Sequence, residues 1–415
     1  MSKKKIILFL IILVLTISVS GCIYEEPTNN PGSDITNKVT NEITQTIVDY
    51  NGNITIEDLE DSVTTTVKMV ENAVIGVSLK RVTEKTIGGK KYTFEDYEAL
   101  GSGVIYKRID NKNSFGEIDS YSYYVITNAH IIVSDDKTTK HTVYAYLGYY
   151  NTECKAEVLG YDEKLDLAVL KFSSYYYIDP VEFQDQSKLE KGNFVIAVGN
   201  PNGYDHFGSV TFGIISDLNC YHSFDTDGDG NYNYMGEYIQ IDAAINSGNS
   251  GGGLFTLDGK LAGIPSIRKI SENAENMSFA IPINVIKIAI EEYLEKGLEI
   301  IKPKLGVIVI PVTEMNSDIM IQEGIYEFPD IYNGERPYGF YISSFAESGS
   351  LVNQGIHEKD IILTFGGNKL YQNSQLSSYL NSIGQYKIGS VVEITYYCNK
   401  TGKIETINIT LTSGE

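Results

Sequence analysis

The run Asp242-Ala-Ala-Ile-Asn-Ser-Gly-Asn-Ser-Gly-Gly-Gly-Leu254 sets one serine, Ser250, between glycines on both sides. A nucleophilic hydroxyl needs a tight turn that exposes its Oγ, with two backbone N–H groups converging where negative charge develops. Glycines allow that backbone shape and leave room for a substrate to approach. Phosphate loops and plain turns use similar strings, but no lysine follows in the arrangement that cradles nucleotide phosphates. The run therefore points to Ser250 as a candidate nucleophile and needs partners elsewhere in the chain.

Two other strings supply them. In Tyr124-Val-Ile-Thr-Asn-Ala-His130 a histidine follows an apolar strand at the start of a turn, where an imidazole can act as general base near neutral pH. Of the five histidines, His130 alone sits in such a string. In Leu165-Asp166-Leu-Ala-Val-Leu-Lys171 an acid is embedded in an apolar strand. A carboxylate taken out of water needs a partner, and the imidazole N–H of His130 is one. Asp162, three residues earlier, fits the plainer role of capping a turn. The order His130, Asp166, Ser250 ties the three strings into one candidate constellation.

The surrounding pattern is β-rich. Short apolar runs such as Val104-Ile-Tyr106, Val143-Tyr-Ala-Tyr-Leu147 and Phe194-Val-Ile-Ala-Val198 alternate with Gly, Asn and Asp turns. That spacing predicts an all-β barrel or sandwich between about 75 and 270. One helix is expected after it, with Asn284 as N-cap, a stripe at Ile286, Ala289, Ile290 and Tyr293, and Gly297 as its stop. A second β-rich unit follows Lys302-Pro303, with a short helix expected near 374–383.

Taken together, these strings resemble the HtrA family of trypsin-fold serine proteases. The matching stretches are Gly101-Ser-Gly-Val-Ile105, Thr127-Asn-Ala-His130, Asp166-Leu-Ala-Val-Leu170, Ala197-Val-Gly-Asn-Pro201, Thr211-Phe-Gly-Ile-Ile-Ser216, Gly248-Asn-Ser-Gly-Gly252 and Ser278-Phe-Ala-Ile-Pro282. Ser247 and Gly253 depart from the family, which usually carries proline at both. The resemblance implies a mainly β fold, a double β-barrel protease domain followed by a smaller PDZ domain. It implies Ser250 as nucleophile, His130 as general base then acid, Asp166 as orienter, and the N–H groups of Gly248 and Ser250 as oxyanion hole. Ala244, where trypsin-like specificity would need an acid, implies small or aliphatic residues at P1. Residues 304–412 resemble a PDZ domain, with Leu305-Gly306-Val307 as the nest for a peptide carboxylate and Leu376 and Leu380 walling the groove. A module without a free groove is the alternative reading. Residues 311–337 form an insertion in that unit.

The expected division is a leader over residues 1–22, a flexible linker over 23–56, the protease over 57–300 and the PDZ unit over 301–415. Lys3-Lys4-Lys5, an apolar run and Val19-Ser-Gly-Cys22 read as an export leader. Its end resembles a lipobox, making Cys22 the lipidated first residue; an uncleaved signal anchor is the other reading. Either leaves the body on the extracytoplasmic face of the membrane. Three cysteines beyond Cys22 offer no disulfide framework; three buried free thiols are the default reading and a Cys154–Cys220 bridge in an oxidising compartment is the other.

With 33 basic against 54 acidic residues, the net charge of −21 disfavours nucleic-acid binding. No cofactor is required. Asp225, Asp227, Asp229 and Gly230 follow the spacing of a calcium loop, but position 12 is Gly236 instead of Glu, and a solvated turn is the simpler reading. Two functions follow. One is an ATP-independent, membrane-tethered endopeptidase for unfolded or damaged exported proteins, homotrimeric as the resemblance implies, with its PDZ unit binding peptide C-termini. The other is a chaperone-like or peptide-sensing binding protein with little turnover.

Overall fold

The computed structural model describes residues 55–134, 136–200, 208–224, 234–246, 248–266, 277–371 and 386–413. The chain separates into two units, Met1–Glu60 and Asp61–Glu415. Of the first, only the start of helix α1 (Ile56–Val70) and the residue before it are described. Thr55 and Asp58 cap that helix reciprocally: the Thr55 N–H donates to Asp58 Oδ2 at 2.7 Å, and the Asp58 N–H to Thr55 Oγ1 at 3.2 Å. The leader, with Cys22, lies outside the described residues. Among the described residues, no helix is long and apolar enough to cross a membrane.

The second unit opens with β1 (Val74–Ile87), β2 (Lys90–Lys112), β3 (Ile118–Thr127), β4 (Lys140–Leu147), β5 (Thr152–Asp162) and β6 (Leu167–Ser174). They close a barrel in the order β1-β2-β3-β6-β5-β4. Gly88 and Gly89, at φ +59° and +79°, form the two-residue turn between Ile87 and Lys90, which pair across it. The first strand runs on into this long hairpin with β2.

A second barrel follows from β7 (Phe194–Gly199), β8 (Ser209–Phe224), β9 (Tyr234–Ile241), β10 (Gly253–Thr256), β11 (Leu261–Ser266) and β12 (Ser278–Pro282), ordered β10-β11-β12-β9-β8-β7. Side chains alternate across a strand, and β7 shows what that accomplishes. Val195 and Ala197 fill one core with Ile215, Ile239 and Leu254, while Ile196 and Val198 join a larger core containing Val77, Ile105 and Val125 of the first barrel. One short apolar string thus serves two cores, which is why it reads as continuously hydrophobic.

The expected helix is present but begins elsewhere. Helix α2 (Ala129–Ile132) precedes the second barrel, and α3 (Ile283–Ile288) follows it, with Pro282 as N-cap in place of Asn284. Proline loses nothing at a position where the helix has no N–H partner to offer, and its fixed φ suits the entry. The chain then widens into a π turn over Ala289–Tyr293 and stops at Gly297, at φ +65°.

A third sheet holds β13 (Val307–Pro311), β14 (Phe340–Phe345), β15 (Ile361–Phe365), β16 (Asn368–Lys369), β17 (Val391–Cys398) and β18 (Lys403–Thr410). Its main path runs β13-β14-β15-β17-β18, with β16 on β15. Val392, Ile394, Tyr396 and Cys398 alternate into its core beside Phe340, Ile342 and Ile362. The insertion carries helix α4 (Ser317–Gln322) and a small apolar cluster in which Val312 and Tyr332 meet Tyr341, Ile361 and Leu363. Cys154, Cys220 and Cys398 are all free thiols, so no Cys154–Cys220 bridge is formed.

Candidate active site

Each candidate triad residue stands where a barrel strand meets a turn. Asp166 immediately precedes β6, His130 lies on α2 just after β3, and Ser250 lies in the glycine-rich turn leading into β10. The turn before β6 is shaped by Asp162, whose Oδ1 accepts the Leu165 N–H at 2.7 Å, the capping role expected of it. Asp166 itself adopts φ +59°, a left-handed conformation that aspartate tolerates better than most residues.

That conformation delivers a buried carboxylate to the imidazole. Asp166 is 1% exposed, and His130 Nδ1 lies 3.0 Å from both of its oxygens. The His130 backbone N–H also donates to Oδ1 at 3.1 Å, and Ser266 Oγ donates to Oδ2 at 2.8 Å. Asn128 Nδ2 donates to the Asp166 carbonyl at 2.8 Å, fixing the backbone behind the carboxylate. Three groups thus converge on the carboxylate, and the pairing turns Nδ1 of the imidazole toward Asp166. The imidazole side chain is half exposed.

Ser250 is 1% exposed, and its Oγ makes no hydrogen bond. The bond to His130 that proton transfer requires is therefore not formed in this state; such bonds are often long before substrate binds. Gly248 sits at φ +103° and Gly251 at +76°, so both glycines around Ser250 use conformations closed to most side chains. Among the described residues, no acceptor pairs with the N–H of Gly248 or of Ser250. Two unpaired donors beside a serine hydroxyl can stabilise an oxyanion.

Other expected sites divide. Ala244 is exposed, and its carbonyl accepts from Thr211 Oγ1 at 3.0 Å. Leu305, Gly306 and Val307 form a fixed loop entering β13: Gly306 is at φ +74°, its carbonyl accepts from Ala346 at 3.0 Å, and the Leu305 carbonyl accepts from Leu351 at 2.9 Å. Among the described residues, no acceptor pairs with the Leu305 or Gly306 N–H, as a carboxylate nest would require. Leu376, Leu380 and the acidic string with Asp225, Asp227 and Asp229 lie outside the described residues. Among those described, no group of three or more His, Cys, Asp or Glu side chains is placed to hold a metal.

Sequence reading overlooked Ser266 and gave Ser102 no role of its own. Ser266 closes the string Leu261-Ala-Gly-Ile-Pro-Ser266, and only the fold brings it 100 positions back to Asp166.

Comparison with known proteins bears on the fold and the enzyme class. A family model, the trypsin-like peptidase domain, matches residues 101–264. The chain is 34% identical over 355 residues to the serine protease Do-like HtrA of Bacillus subtilis (strain 168), covering 84% of this chain and 72% of that protein. It is 31% identical over 350 residues to the serine protease HtrA-like of Staphylococcus aureus (strain MRSA252), covering 84% of this chain but 42% of the longer relative. Among solved structures, HtrA-type protease AlgW with decapeptide superposes with a TM-score of 0.56 at 23% identity, over 84% of this chain and 97% of that one. The serine endoprotease from Yersinia pestis gives 0.50 at 23% identity, over the same 84% of this chain and 97% of its own.

Proposed function

The chain belongs to the HtrA family of serine proteases, and from that premise we propose an extracytoplasmic, membrane-tethered endopeptidase that degrades unfolded or damaged exported proteins without ATP. The observation that carries the catalytic reading is the buried Asp166 carboxylate on His130 Nδ1, beside a serine turn whose Gly248 and Ser250 N–H groups pair with no acceptor among the described residues.

In this reading His130 takes the proton from Ser250 Oγ as the oxygen attacks the scissile carbonyl. The oxyanion accepts from the Gly248 and Ser250 N–H groups, and Asp166 stabilises the imidazolium. His130 then gives its proton to the leaving amine, and water repeats the cycle on the acyl-enzyme. Ala244 leaves the specificity pocket without an acid, which favours small or aliphatic P1 residues. The loop Leu305 to Val307 takes a peptide C-terminal carboxylate, with β13 offering its edge to the peptide. Export and lipidation at Cys22 place the body outside the cytoplasm, and the copies assemble as a homotrimer. Calcium at Asp225, Asp227 and Asp229 is an optional ligand of the acidic loop, with no part in the chemistry.

A holding function with little turnover draws on one observation, the unpartnered Ser250 Oγ. Casein cleavage in ATP-free buffer, compared between the wild type and Ser250→Ala, separates the two. Proteolysis by the wild type alone supports the endopeptidase. Equal suppression of casein aggregation by both chains, with no cleavage in either, supports the holding function.

A further inference from the structure

We propose that Ser102, on β2, is a positioning residue that sets the oxyanion-binding turn; the inference rests on the proteolytic reading above. Ser102 is fully buried, and every polar group it carries is committed to the catalytic region. Its Oγ donates to the Gly248 carbonyl at 2.6 Å and accepts the Asn200 N–H at 2.7 Å. Its backbone N–H donates to the Ser250 carbonyl at 3.0 Å. Its own carbonyl accepts Thr127 Oγ1 at 2.6 Å, from the strand that ends three residues before His130.

The consequence is geometric. The Gly248 carbonyl and the Asn249 N–H share one peptide plane. Ser102 holds the first, and the Asn246 carbonyl accepts the second at 3.0 Å. With that plane fixed at both ends, the Gly248 N–H keeps only the two rotations within Gly248 itself, about its Cα–C and N–Cα bonds. A turn containing Gly248, Gly251, Gly252 and Gly253 has little stiffness of its own, so the tether decides where the oxyanion donor points. The neighbouring glycines make the close approach possible. A Cβ on Gly251 would lie 2.2 Å from the Ser102 carbonyl, and one on Gly199 would lie 3.1 Å from Ser102 Oγ. The same serine thereby links the first-barrel strand leading to the base with the second-barrel turn bearing the nucleophile.

Donors aimed at developing charge act in the transition state more than in the ground state, and losing one such donor costs roughly 10²–10³ in rate. Ser102→Ala removes the tether while leaving the 3.2 Å bond from the Asn200 N–H to the Gly248 carbonyl. The expected result is a fall in kcat of roughly 10–100-fold with KM within about twofold, since a misaimed donor is a partial loss. Affinity for a peptide boronic acid, which forms a tetrahedral adduct on the serine, should weaken by the same factor. Ser102→Cys, which keeps a weak donor, should fall between. The wild type and Ser250→Ala are run alongside, so an inactive wild type counts against the proteolytic reading and not against Ser102. A folded Ser102→Ala with wild-type kcat and boronate affinity would overturn the proposal. So would a loss of kcat with boronate affinity unchanged, or failure of both variants to fold, which would make Ser102 a core residue alone.

Discussion

Both carboxylate oxygens of Asp166 lie 3.0 Å from Nδ1 of His130, and the residue reaches that position through a backbone φ of +59°. A symmetric grip of this kind orients the ring, with Nδ1 facing the carboxylate and the other ring nitrogen turned away from it. Asp166→Asn keeps the shape but offers the ring a donor, favouring the wrong tautomer. The expected loss in kcat is about 10⁴-fold with little change in KM. Steady-state kinetics on a peptide substrate check it, and a loss below tenfold would remove Asp166 from the mechanism.

Ser266 adds the third donor to that carboxylate, at 2.8 Å, from the end of a fully buried strand. Its removal leaves a buried anion with one bond fewer, a cost of about 1.5–3 kcal/mol. Part of that cost falls on the ion pair formed in the transition state. Ser266→Ala should lower kcat about tenfold while leaving substrate affinity unchanged. A variant with altered KM and normal kcat would instead place Ser266 at the substrate.

The proposed reading of Ala244 as the specificity position makes a prediction about P1. A pocket with alanine there lacks the carboxylate that would pair with lysine or arginine. Cleavage of P1-varied peptide libraries should favour Val, Ala and other small or aliphatic residues. Dominant cleavage after Arg would contradict this assignment.

Lys302 predicts a pH dependence in stability. Its Nζ lies 3.8 Å from the Tyr234 ring centroid with no hydrogen-bond partner, and burial lowers its pKa from 10.5 to about 8. The folded state therefore binds fewer protons than the unfolded state between those values, and stability rises with pH across the window. The penalty for charging Lys302 is fully present below pH 8. Lys302→Met should stabilise the protein at pH 7 by on the order of 1 kcal/mol, the ring contact offsetting part of the burial cost. That advantage should shrink as pH rises from 8 toward 10. Thermal unfolding of both chains at each pH checks it; a constant difference would show that Lys302 is not the titrating group.

Much of this was legible before the fold was known. His130, Asp166 and Ser250 each sit in a string whose local chemistry constrains them, an apolar strand end or a glycine-rich turn. The barrels were legible because alternating side chains feed two cores, as in Val195 to Val198. What stayed hidden depends on contacts between distant residues. Ser102 and Ser266 are ordinary serines in buried runs of strand until closure of the barrels brings them to Gly248 and Asp166. The start of α3 was misplaced because Asn284 is a good cap by type, whereas Pro282 ends β12 and passes directly into the helix.

The central claim is that Ser250 Oγ becomes a nucleophile through His130. A fluorophosphonate probe measures this directly, because it phosphonylates only a serine activated by its base. The wild type should gain one adduct, mapped by peptide mass spectrometry to Ser250, while His130→Ala and Ser250→Ala gain none. A wild type left unlabelled, with or without peptides that occupy the third sheet, or an adduct on another serine, would contradict the account.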